Sequence, residues 1–515
     1  MSSGPGHTAA GSVTIGGRRS LVTDALDVTA AQRPLAPALR DAEGAWNYHD
    51  LARASWRAAE WLARLGAGPG DRVMMRAVPS RVFVALLYGA LRLRTVAVPV
   101  GTGVPPRGFA RMVADARPAV VVDTLSSGNG APGPALSSGT TVRSMYQARA
   151  AFHAPRAHSW AAPDISGPRG TDLALLLYTS GSTAEPKAVA CPHSAVGFAA
   201  RAVAARVAYR PDDVVFCGLP LSFDYGLYQV FLCALGGSEL VLAEGAPHAR
   251  LLVDLRASGA SVVPVVPSLA TMLVALARRD PAPSAVRLFT NTGEHLPPAA
   301  AHALRRHFPG SSVQMMFGTT ECKRVSVLEP DGDLARPGSL GRPLDGTRVR
   351  IVGTDGQELP VGATGEITVR GPHVMAGYWN TPGPTSFRTE HGERTLYTGD
   401  RGRVDADGHL YFAGRADDRF KQRGTRVSAR EIEAAATSLP GVTAAALLLP
   451  TPRRGAVLCV MGAVRSVDVL QGLGTLLEPA KVPGLCQVLD AFPLTGHGKT
   501  ARDRLADLVD GTYLP

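Results

Sequence analysis

The 515-residue sequence lacks several features that would place it in a specialised class of proteins. Its six cysteines are scattered and contain no Cys-x-x-Cys pair, so a zinc site or a disulfide framework is not predicted, and a reducing compartment fits. Aromatic residues are only 6% of the chain and Lys/Arg form no block, which argues against a nucleic-acid surface. No apolar run approaches a membrane span, and residues 1–20 lack the apolar core of a signal peptide. We therefore expect a cytoplasmic protein with no nucleic-acid partner and no membrane partner.

The composition is that of a folded protein that is too long for one compact core. Apolar residues make up 45% and charged residues 19%, and 515 residues predict two or more domains. The formal net charge is +11. An excess of this sign attracts anions such as a nucleotide, coenzyme A or an acidic carrier protein, although an arginine-rich solvated surface is the simpler explanation.

Helix-like and strand-like stretches alternate along the chain. Residues 48–66 place apolar side chains on one helical face and end at glycine, and residues 82–93 have a second helical pattern. Short apolar runs at 71–77, 95–100 and 119–123 predict buried strands. Such alternation is typical of an α/β fold with mainly parallel sheets.

The pattern changes near residue 340, where Asp-Gly and Gly-x-x-Gly turns separate alternating strands. We predict a flexible N-terminal segment (1–20) and a large α/β domain (21–415) of layered, mainly parallel sheets with helices. A small β-barrel-like subdomain occupies about 340–415 of that domain. A small mobile α+β domain (416–515) completes the chain, at a size that is plausible for a separate domain.

An apolar strand followed by a polar loop, LALLLYTSGSTAEPKAVA, spans residues 173–190. Gly181 lets the backbone turn so that amides face an anion, and Lys187 supplies a compact positive charge. The spacing does not fit a Walker A loop. By itself the stretch is compatible with phosphate binding or with an ordinary turn. Four hydroxyl side chains lie in it: Thr179, Ser180, Ser182 and Thr183.

Five further stretches follow in order: NTGEHLPP (291–298), MFGTTE (316–321), TGEI (364–367), YTGDRGRVDADGHLYFAGRADDRFKQRG (397–424) and PLTGHGKTARDRL (493–505). With the loop, they resemble the core motifs of the adenylate-forming superfamily of acyl-CoA synthetases, peptide-synthetase adenylation domains and luciferases. The resemblance covers about residues 45 to 507, and six motifs in this order are very specific. It implies that ATP and Mg²⁺ are used to join a carboxylate to the α-phosphate before transfer to a thiol. Ala184 and Ala188 depart from the family pattern, which has glycine at both positions.

The resemblance also implies roles for individual residues. The loop hydroxyls and Lys187 would hold the β- and γ-phosphates, and Glu321 would hold Mg²⁺. Phe317 matches the position that stacks on adenine, where tyrosine is usual, and Thr320 would contact the α-phosphate. Asp400 would bind the ribose hydroxyls. Four further ATP-binding residues are implied: Gly293, Glu294, Gly318 and Arg415.

Lys499 matches the catalytic lysine that bridges the attacking carboxylate and the α-phosphate, with Thr320 and Glu321 as further catalytic residues. Asp417 matches the hinge about which the small domain rotates between its two half-reactions. Gly424 matches the loop that gives the thiol arm access to the site.

The segment LPLSFDYGLYQV (219–230) corresponds to the family's acyl pocket. Asp224 matches the carboxylate that binds the ammonium of amino-acid substrates, by a charge-assisted contact. The same FDYG pattern occurs in relatives with other substrates, and an Asp at this point could simply cap a helix. Tyr225 and Tyr228 should shape the pocket.

Two basic residues, Lys323 and Arg324, follow the motif glutamate where small or apolar pocket residues are usual. If they point inward they could bind a second carboxylate or another anionic group, which would suit an acidic amino acid or an aspartate-like β-amino acid. The alternative is that both face solvent or the small domain.

These features predict a stand-alone AMP-forming acid–thiol ligase for a small amino acid or related carboxylic acid. It would load a carrier protein in specialised metabolite biosynthesis. An acyl- or aryl-CoA ligase that uses coenzyme A is the close alternative. More distant alternatives are a nitrite-activating, diazotising relative and a non-catalytic nucleotide-binding protein.

Overall fold

The computed structural model describes residues 21–124, 140–153, 167–179, 187–243, 250–381, 386–415, 419–422, 425–451, 454–477, 481–495 and 499–513. The predicted N-terminal segment, 1–20, lies outside these residues. Helices and strands are numbered below in chain order. None of the helices in the described ranges combines the length and the apolar character that crossing a bilayer requires.

One mixed sheet contains seven of the described strands. They are β3 (Arg72–Arg76), β4 (Val96–Val100), β5 (Val120–Asp123), β6 (Thr141–Ser144), β7 (Leu173–Thr179), β8 (Lys187–Pro192) and β18 (Gly377–Tyr378). Their order is β18-β8-β7-β4-β3-β5-β6, and β3 to β7 run parallel while β8 and β18 are antiparallel at one edge. The three strands predicted from apolar runs are confirmed as β3, β4 and β5.

A second sheet contains nine described strands. They are β1 (Pro37–Asp41), β2 (Gly44–Asn47), β9 (Val214–Cys217), β10 (Glu239–Leu242), β11 (Val262–Val265), β12 (Leu288–Asn291), β13 (Ser312–Phe317), β14 (Ser326–Val327) and β15 (Arg342–Pro343). Their order is β15-β14-β13-β12-β11-β9-β10-β1-β2, and the six from β13 to β1 are parallel. The carboxyl ends of these strands therefore meet at one edge of the sheet.

Helices cover both sheets. They are α1 (Val22–Gln32), α2 (Tyr48–Arg64), α3 (Arg81–Arg92), α4 (Pro106–Ala116), α5 (Met145–His153), α6 (His193–Val207), α7 (Asp224–Gly236), α8 (Leu251–Ala257), α9 (Pro267–Arg279), α10 (Pro298–His307) and α11 (Gly332–Ala335). The two predicted helices are confirmed as α2 and α3. In α3 and α7 nearly every side chain is buried, which is typical of helices enclosed by other elements, and both contribute to a core shared by the two sheets.

An antiparallel sheet follows in the region where the sequence predicts a β-rich subdomain. Its strands are β16 (Arg348–Val352), β17 (Gly365–Arg370), β19 (Phe387–Glu390), β20 (Glu393–Val404) and β21 (Leu410–Arg415). The long β20 pairs with β17, β19 and β21, so it carries residues of the YTGD motif along the centre of this sheet.

The C-terminal part is a small α+β unit. It contains β22 (Arg419–Gln422), β23 (Thr425–Ser428), α12 (Ala429–Thr437), β24 (Val442–Leu448), β25 (Val457–Gly462), α13 (Ser466–Leu476), β26 (Leu485–Val488) and α14 (Arg502–Tyr513). Its apolar residues form clusters of their own, such as the one around Ile432, Leu447 and Leu458. The α/β fold class is confirmed, while the domain boundary near residue 416 stays a prediction.

Candidate active site

The predicted phosphate loop joins β7 to β8. Thr179 ends β7 and Lys187 begins β8, and the Thr179 hydroxyl donates a hydrogen bond to the Lys187 carbonyl at 3.3 Å. The loop residues Ser180, Gly181, Ser182 and Thr183, like Ala184, lie outside the described residues. Ala188 is buried in β8 opposite Tyr178 and has an ordinary strand backbone, so alanine fits where the family pattern has glycine.

The predicted metal-binding carboxylate, Glu321, lies in a loop shortly after the end of β13. The hydroxyl of Tyr378 in β18 donates to Glu321 Oε1 at 2.7 Å. Burial and the charge of Glu321 raise the pKa of this hydroxyl, so it stays a donor. Because β18 pairs with β8, Tyr378 also lies beneath Lys187, whose Nζ is 5.7 Å from the ring centroid. Tyr378 could not be predicted as a site residue, because only pairing between strands far apart in the chain places it there.

The predicted adenine and ribose residues lie on neighbouring strands. Phe317, at the end of β13, is half-buried and its ring is 5.9 Å from that of Phe412 on β21. Asp400 on β20 is buried, and its register partner on β21 is Arg415, whose Nε is 3.2 Å from Asp400 Oδ1. The structure therefore brings the predicted ribose carboxylate and the predicted nucleotide arginine together as an ion pair.

The structure shows why glycine suits two of the predicted nucleotide-site positions, Gly318 and Gly293. A Cβ on Gly318 would lie 2.1 Å from the Lys323 carbonyl oxygen, so the loop from 318 to 323 can fold back only without a side chain there. Gly293 has a left-handed backbone, with φ of +85°, and a Cβ there would lie 3.6 Å from Lys499 Cε. The half-buried Glu294 follows, and burial raises the pKa of its carboxyl while Lys499 opposes that shift.

Lys499 of the C-terminal unit reaches the residues of the large α/β part. Its Nζ lies 5.2 Å from the ring centroid of Phe223, the residue before α7. Burial lowers the pKa of the Lys499 ammonium, and the carboxylates of Asp224 and Glu294 oppose this shift. The predicted catalytic lysine and the predicted substrate-binding carboxylate therefore belong to one electrostatic cluster.

The acyl pocket residues gather at the first turn of α7. Asp224 is the first residue of this helix and is only 4% exposed, a position where the helix dipole favours a negative charge. Arg324 Nη1 lies 3.4 Å from Asp224 Oδ2 and donates to the Lys323 carbonyl at 2.6 Å. The Arg324 guanidinium also lies 5.2 Å from the ring centroid of Tyr225, whose hydroxyl bonds Thr290 at 2.7 Å.

Lys323 is the least ordinary residue of this pocket. It is 1% exposed and its backbone is left-handed, with φ of +64°, a conformation that is uncommon for a residue with a long side chain. Its Nζ lies 5.4 Å from the ring centroid of Tyr228 and has no hydrogen-bond partner among the described residues. The same holds for the Tyr228 hydroxyl and for Arg324 Nε.

Neither basic residue faces solvent, because Arg324 is only 6% exposed and Lys323 less. Of the two orientations left open by the sequence, the structure therefore supports the inward one. The hinge residue Asp417 and the thiol-loop residue Gly424 lie outside the described residues, so their roles stay predictions.

Residues 26–379 match the family described as AMP-binding enzyme. The chain is 29% identical over 496 residues to an L-proline--[L-prolyl-carrier protein] ligase from Pseudomonas fluorescens, covering 93% of this chain and 98% of that protein. It is 29% identical over 505 residues to a 4-hydroxybenzoate--CoA/benzoate--CoA ligase from Rhodopseudomonas palustris, covering 92% and 90%. It spans only 6% of the length of CymA, a protein of Salinispora arenicola described as a nonribosomal peptide synthetase.

Among solved structures, the chain is similar to VinN in its complex with L-aspartate. The TM-score is 0.69 and the identity 41%, over 77% of this chain and 98% of VinN. MatB from Rhodopseudomonas palustris, with ATP bound, gives a TM-score of 0.81 at 25% identity over 95% of this chain and 99% of MatB. The family match, together with the six ordered motifs and the site they build, leads to one conclusion: the chain belongs to the AMP-binding enzyme family and is an AMP-forming ligase of the adenylate-forming superfamily.

Proposed function

We propose that this enzyme adenylates a small amino acid that carries a second carboxylate and transfers it to the phosphopantetheine thiol of a carrier protein. The observation that carries the proposal is the ammonium of Lys323, which is buried and without a partner among the described residues. An uncompensated buried charge destabilises a fold by several kcal/mol. A chain that keeps one at the acyl site is expected to pair it with an anionic group of the substrate.

The charge balance of the pocket favours the same class of substrate. Lys323 and Arg324 each carry a positive charge and Asp224 one negative charge, which leaves the buried cluster with a net charge of +1. An amino acid with two carboxylates presents one of them to ATP, and its ammonium and second carboxylate would then each meet a group of opposite charge, Asp224 and Lys323. An aryl acid offers its single carboxylate to ATP and would leave the Lys323 ammonium unpaired.

Each polar group of this substrate has a candidate partner. Asp224 would accept the ammonium, while its ion pair with Arg324 holds the carboxylate in one orientation. Lys323 would bind the second carboxylate, and Tyr228, whose ring faces the lysine and whose buried hydroxyl has no partner among the described residues, would contribute a hydrogen bond. VinN, which resembles this chain at 41% identity, is known as a complex with L-aspartate, and this supports the assignment.

The first half-reaction follows from charge. A carboxylate oxygen of the substrate attacks the α-phosphorus of ATP, the bond from that phosphorus to the oxygen bridging to the β-phosphate breaks, and pyrophosphate leaves with the electron pair. The Lys499 ammonium lies near Asp224, where it can reduce the repulsion between the carboxylate and the phosphate. Thr320 would position the α-phosphate.

The oxygen donor of Glu321, steadied by Tyr378, suits Mg²⁺. No cluster of three or more potential metal-binding side chains occurs in the described ranges. When bound, Mg²⁺ would neutralise part of the phosphate charge.

The acceptor is the less constrained half of the proposal, because relatives include both a carrier-protein ligase and a CoA ligase. The amino-acid character of the pocket favours a carrier protein. Incubating the enzyme with ATP, its acid and either coenzyme A or a set of holo carrier proteins would separate the two. Thioester found only with coenzyme A would contradict the carrier-protein assignment and support the CoA ligase alternative.

The substrate class is tested by ATP–pyrophosphate exchange with matched acids. The panel contains amino dicarboxylic acids of the α and β type, the same skeletons without the amine (succinate) and without the second carboxylate (β-alanine), and benzoate. We expect the amino dicarboxylic acids to exceed both truncated acids at least about 30-fold, since each lost charge contact costs about 2 kcal/mol or more. Exchange with benzoate or succinate but not with amino dicarboxylic acids would contradict the proposal.

A further inference from the structure

A polar cavity of about 370 Å³ lies beside the phosphate hairpin, apart from the acyl pocket. Its walls come from β8, β17, β18, β19 and β20, together with Thr381 and Ser386. The lining residues are Lys187, Glu366, Tyr378, Thr381, Ser386, Arg388, Tyr397 and Gly399. The cavity shares Lys187 and Tyr378 with the candidate active site, and Gly399 precedes the predicted ribose carboxylate, so it borders the nucleotide site.

The lining is suited to an anion that carries several charges. Lys187 and Arg388 contribute two positive charges, and neither forms an ion pair with a carboxylate of the described residues. The exposed Arg388 guanidinium is stacked 3.7 Å from the ring centroid of Tyr397, and this contact orients it against one wall. Ser386 adds a hydroxyl to the wall, whereas the hydroxyls of Tyr378, Tyr397 and Thr381 already donate to Glu321, Glu390 and the Trp379 carbonyl.

One carboxylate limits how strongly this cavity can hold an anion. Glu366 lies in the wall, where its Oε1 accepts a hydrogen bond from the Gly399 amide at 3.1 Å. The two cations Lys187 and Arg388 and the carboxylate of Glu366 together give the wall a net charge of +1. Such a wall attracts an anion without trapping it, as a site for a departing product requires.

We propose that this cavity is a subsite for the pyrophosphate released when the acyl adenylate forms, with Arg388 as a pyrophosphate-binding residue. The leaving oxygen departs in line with the attacking carboxylate, on the side of the β- and γ-phosphates. Lys187 stands where the phosphate hairpin meets the cavity, so the leaving group can pass from the first cation to the second. The inference rests on the AMP-forming reaction and not on which acid is activated.

The test is calorimetric titration of magnesium pyrophosphate, and separately of ATP, into the purified full-length protein. The variants are Arg388→Ala and Arg388→Lys, with Arg394→Ala as the matched control. Arg394 is an exposed arginine on the same β19–β20 hairpin, opposite Thr389, and does not line the cavity. Thermal melting of each variant checks that the hairpin remains folded.

We expect Arg388→Ala to weaken pyrophosphate binding about tenfold, the loss of one modest charge-assisted contact, and to change ATP affinity less than about threefold. Arg388→Lys should lie between Arg388→Ala and the unmodified protein, and Arg394→Ala should change neither affinity. The proposal is overturned if pyrophosphate does not bind or if Arg388→Ala binds it normally. It is also overturned if Arg388→Ala and Arg394→Ala lose pyrophosphate affinity equally. Equal losses for ATP and pyrophosphate also overturn it, since Arg388 would then hold ATP itself. None of these outcomes depends on the substrate acid, so they are independent of the exchange panel.

Discussion

Two cationic side chains of this protein, Arg305 and Lys323, are shielded from solvent in opposite ways. Arg305 on α10 is surrounded by acceptors, since its Nε donates to Asp331 Oδ1 at 2.6 Å and its terminal nitrogens donate to both oxygens of Asp333. Lys323 is more deeply buried, yet its Nζ has no hydrogen-bond partner in the described part of the chain. The first cation has all its hydrogen-bond partners within the fold, whereas the second has none among the described residues and would gain one from the proposed substrate carboxylate. A buried charge left open in this way indicates a binding site, and a saturated one indicates scaffold.

The largest expected effect concerns Lys499, the predicted catalytic lysine of the C-terminal unit. Lys499→Ala should lower adenylate formation by about 10²–10³-fold, because the charge that reduces repulsion between carboxylate and phosphate is lost. The melting temperature should stay unchanged, since this lysine is not part of a saturated network. Transfer from a synthetic acyl adenylate to thiol is the control and should remain. Near-normal ATP–pyrophosphate exchange would contradict the assigned role.

Lys323→Met directly tests the contrast between open and saturated charge. We expect kcat/KM for the amino dicarboxylic substrate to fall about 30-fold or more, because one partner of a buried charge pair is removed. The free energy of unfolding should stay the same or rise by about 1 kcal/mol, since an uncompensated charge is replaced by a chain of similar volume. Denaturant unfolding and steady-state kinetics measure the two effects. A clear loss of stability with retained activity would assign Lys323 to the scaffold.

Arg305→Met should give the reverse pattern. Two carboxylates, Asp331 and Asp333, lose their shared partner, so the free energy of unfolding should fall by about 2 kcal/mol. Activity per folded molecule should remain, because the partners of Arg305 are Asp331 and Asp333, neither of which is a candidate site residue. Kinetics at a temperature well below the melting transition check this point. Loss of activity without loss of stability would break the comparison.

The smallest effect concerns pH. Although burial raises the pKa of Asp331, hydrogen bonds from Ser312, the Val313 amide and Arg305 outweigh it and hold the pKa below 3.8. A carboxyl whose folded pKa is lowered stabilises the fold above its unfolded pKa, and this contribution disappears as pH falls through the folded value. Asp331→Asn should therefore be less stable at pH 7 by about 1 kcal/mol and approach the parent protein below pH 4. A difference that is constant from pH 7 to pH 3 would contradict this.

The nucleotide side of the site was predictable because its motifs are local in sequence. Glu321, Asp400 and Lys499 each lie in a short ordered motif, and the structure pairs Asp400 with the predicted nucleotide arginine, Arg415. The direction in which the Lys323 side chain points was not predictable, because it depends on the tight reversal of the backbone that Gly318 permits. The boundaries of β3, β4 and β5 were predicted within one residue, since buried strands appear as short apolar runs.

Tyr378 and Arg388 could not be found from sequence, because strand pairing over long separations brings them to the phosphate hairpin. Ser180 to Thr183, Asp417 and Gly424 keep the status of predictions. These residues lie outside the part of the chain that the structure describes, so it does not test the contacts and motions assigned to them.

The left-handed backbone of Lys323 has a consequence for redesign of the pocket. A glycine at this position adopts φ of +64° without the strain of about 1–3 kcal/mol that a side chain incurs, and it also removes the buried charge. Under the proposed function, Lys323→Gly would remove the group that binds the second carboxylate, and the relieved backbone strain and buried charge would offset part of the cost of the cavity left by the missing side chain. Because this offset is specific to a residue with a left-handed backbone, position 323 is the first position to vary when directing this enzyme toward other acids.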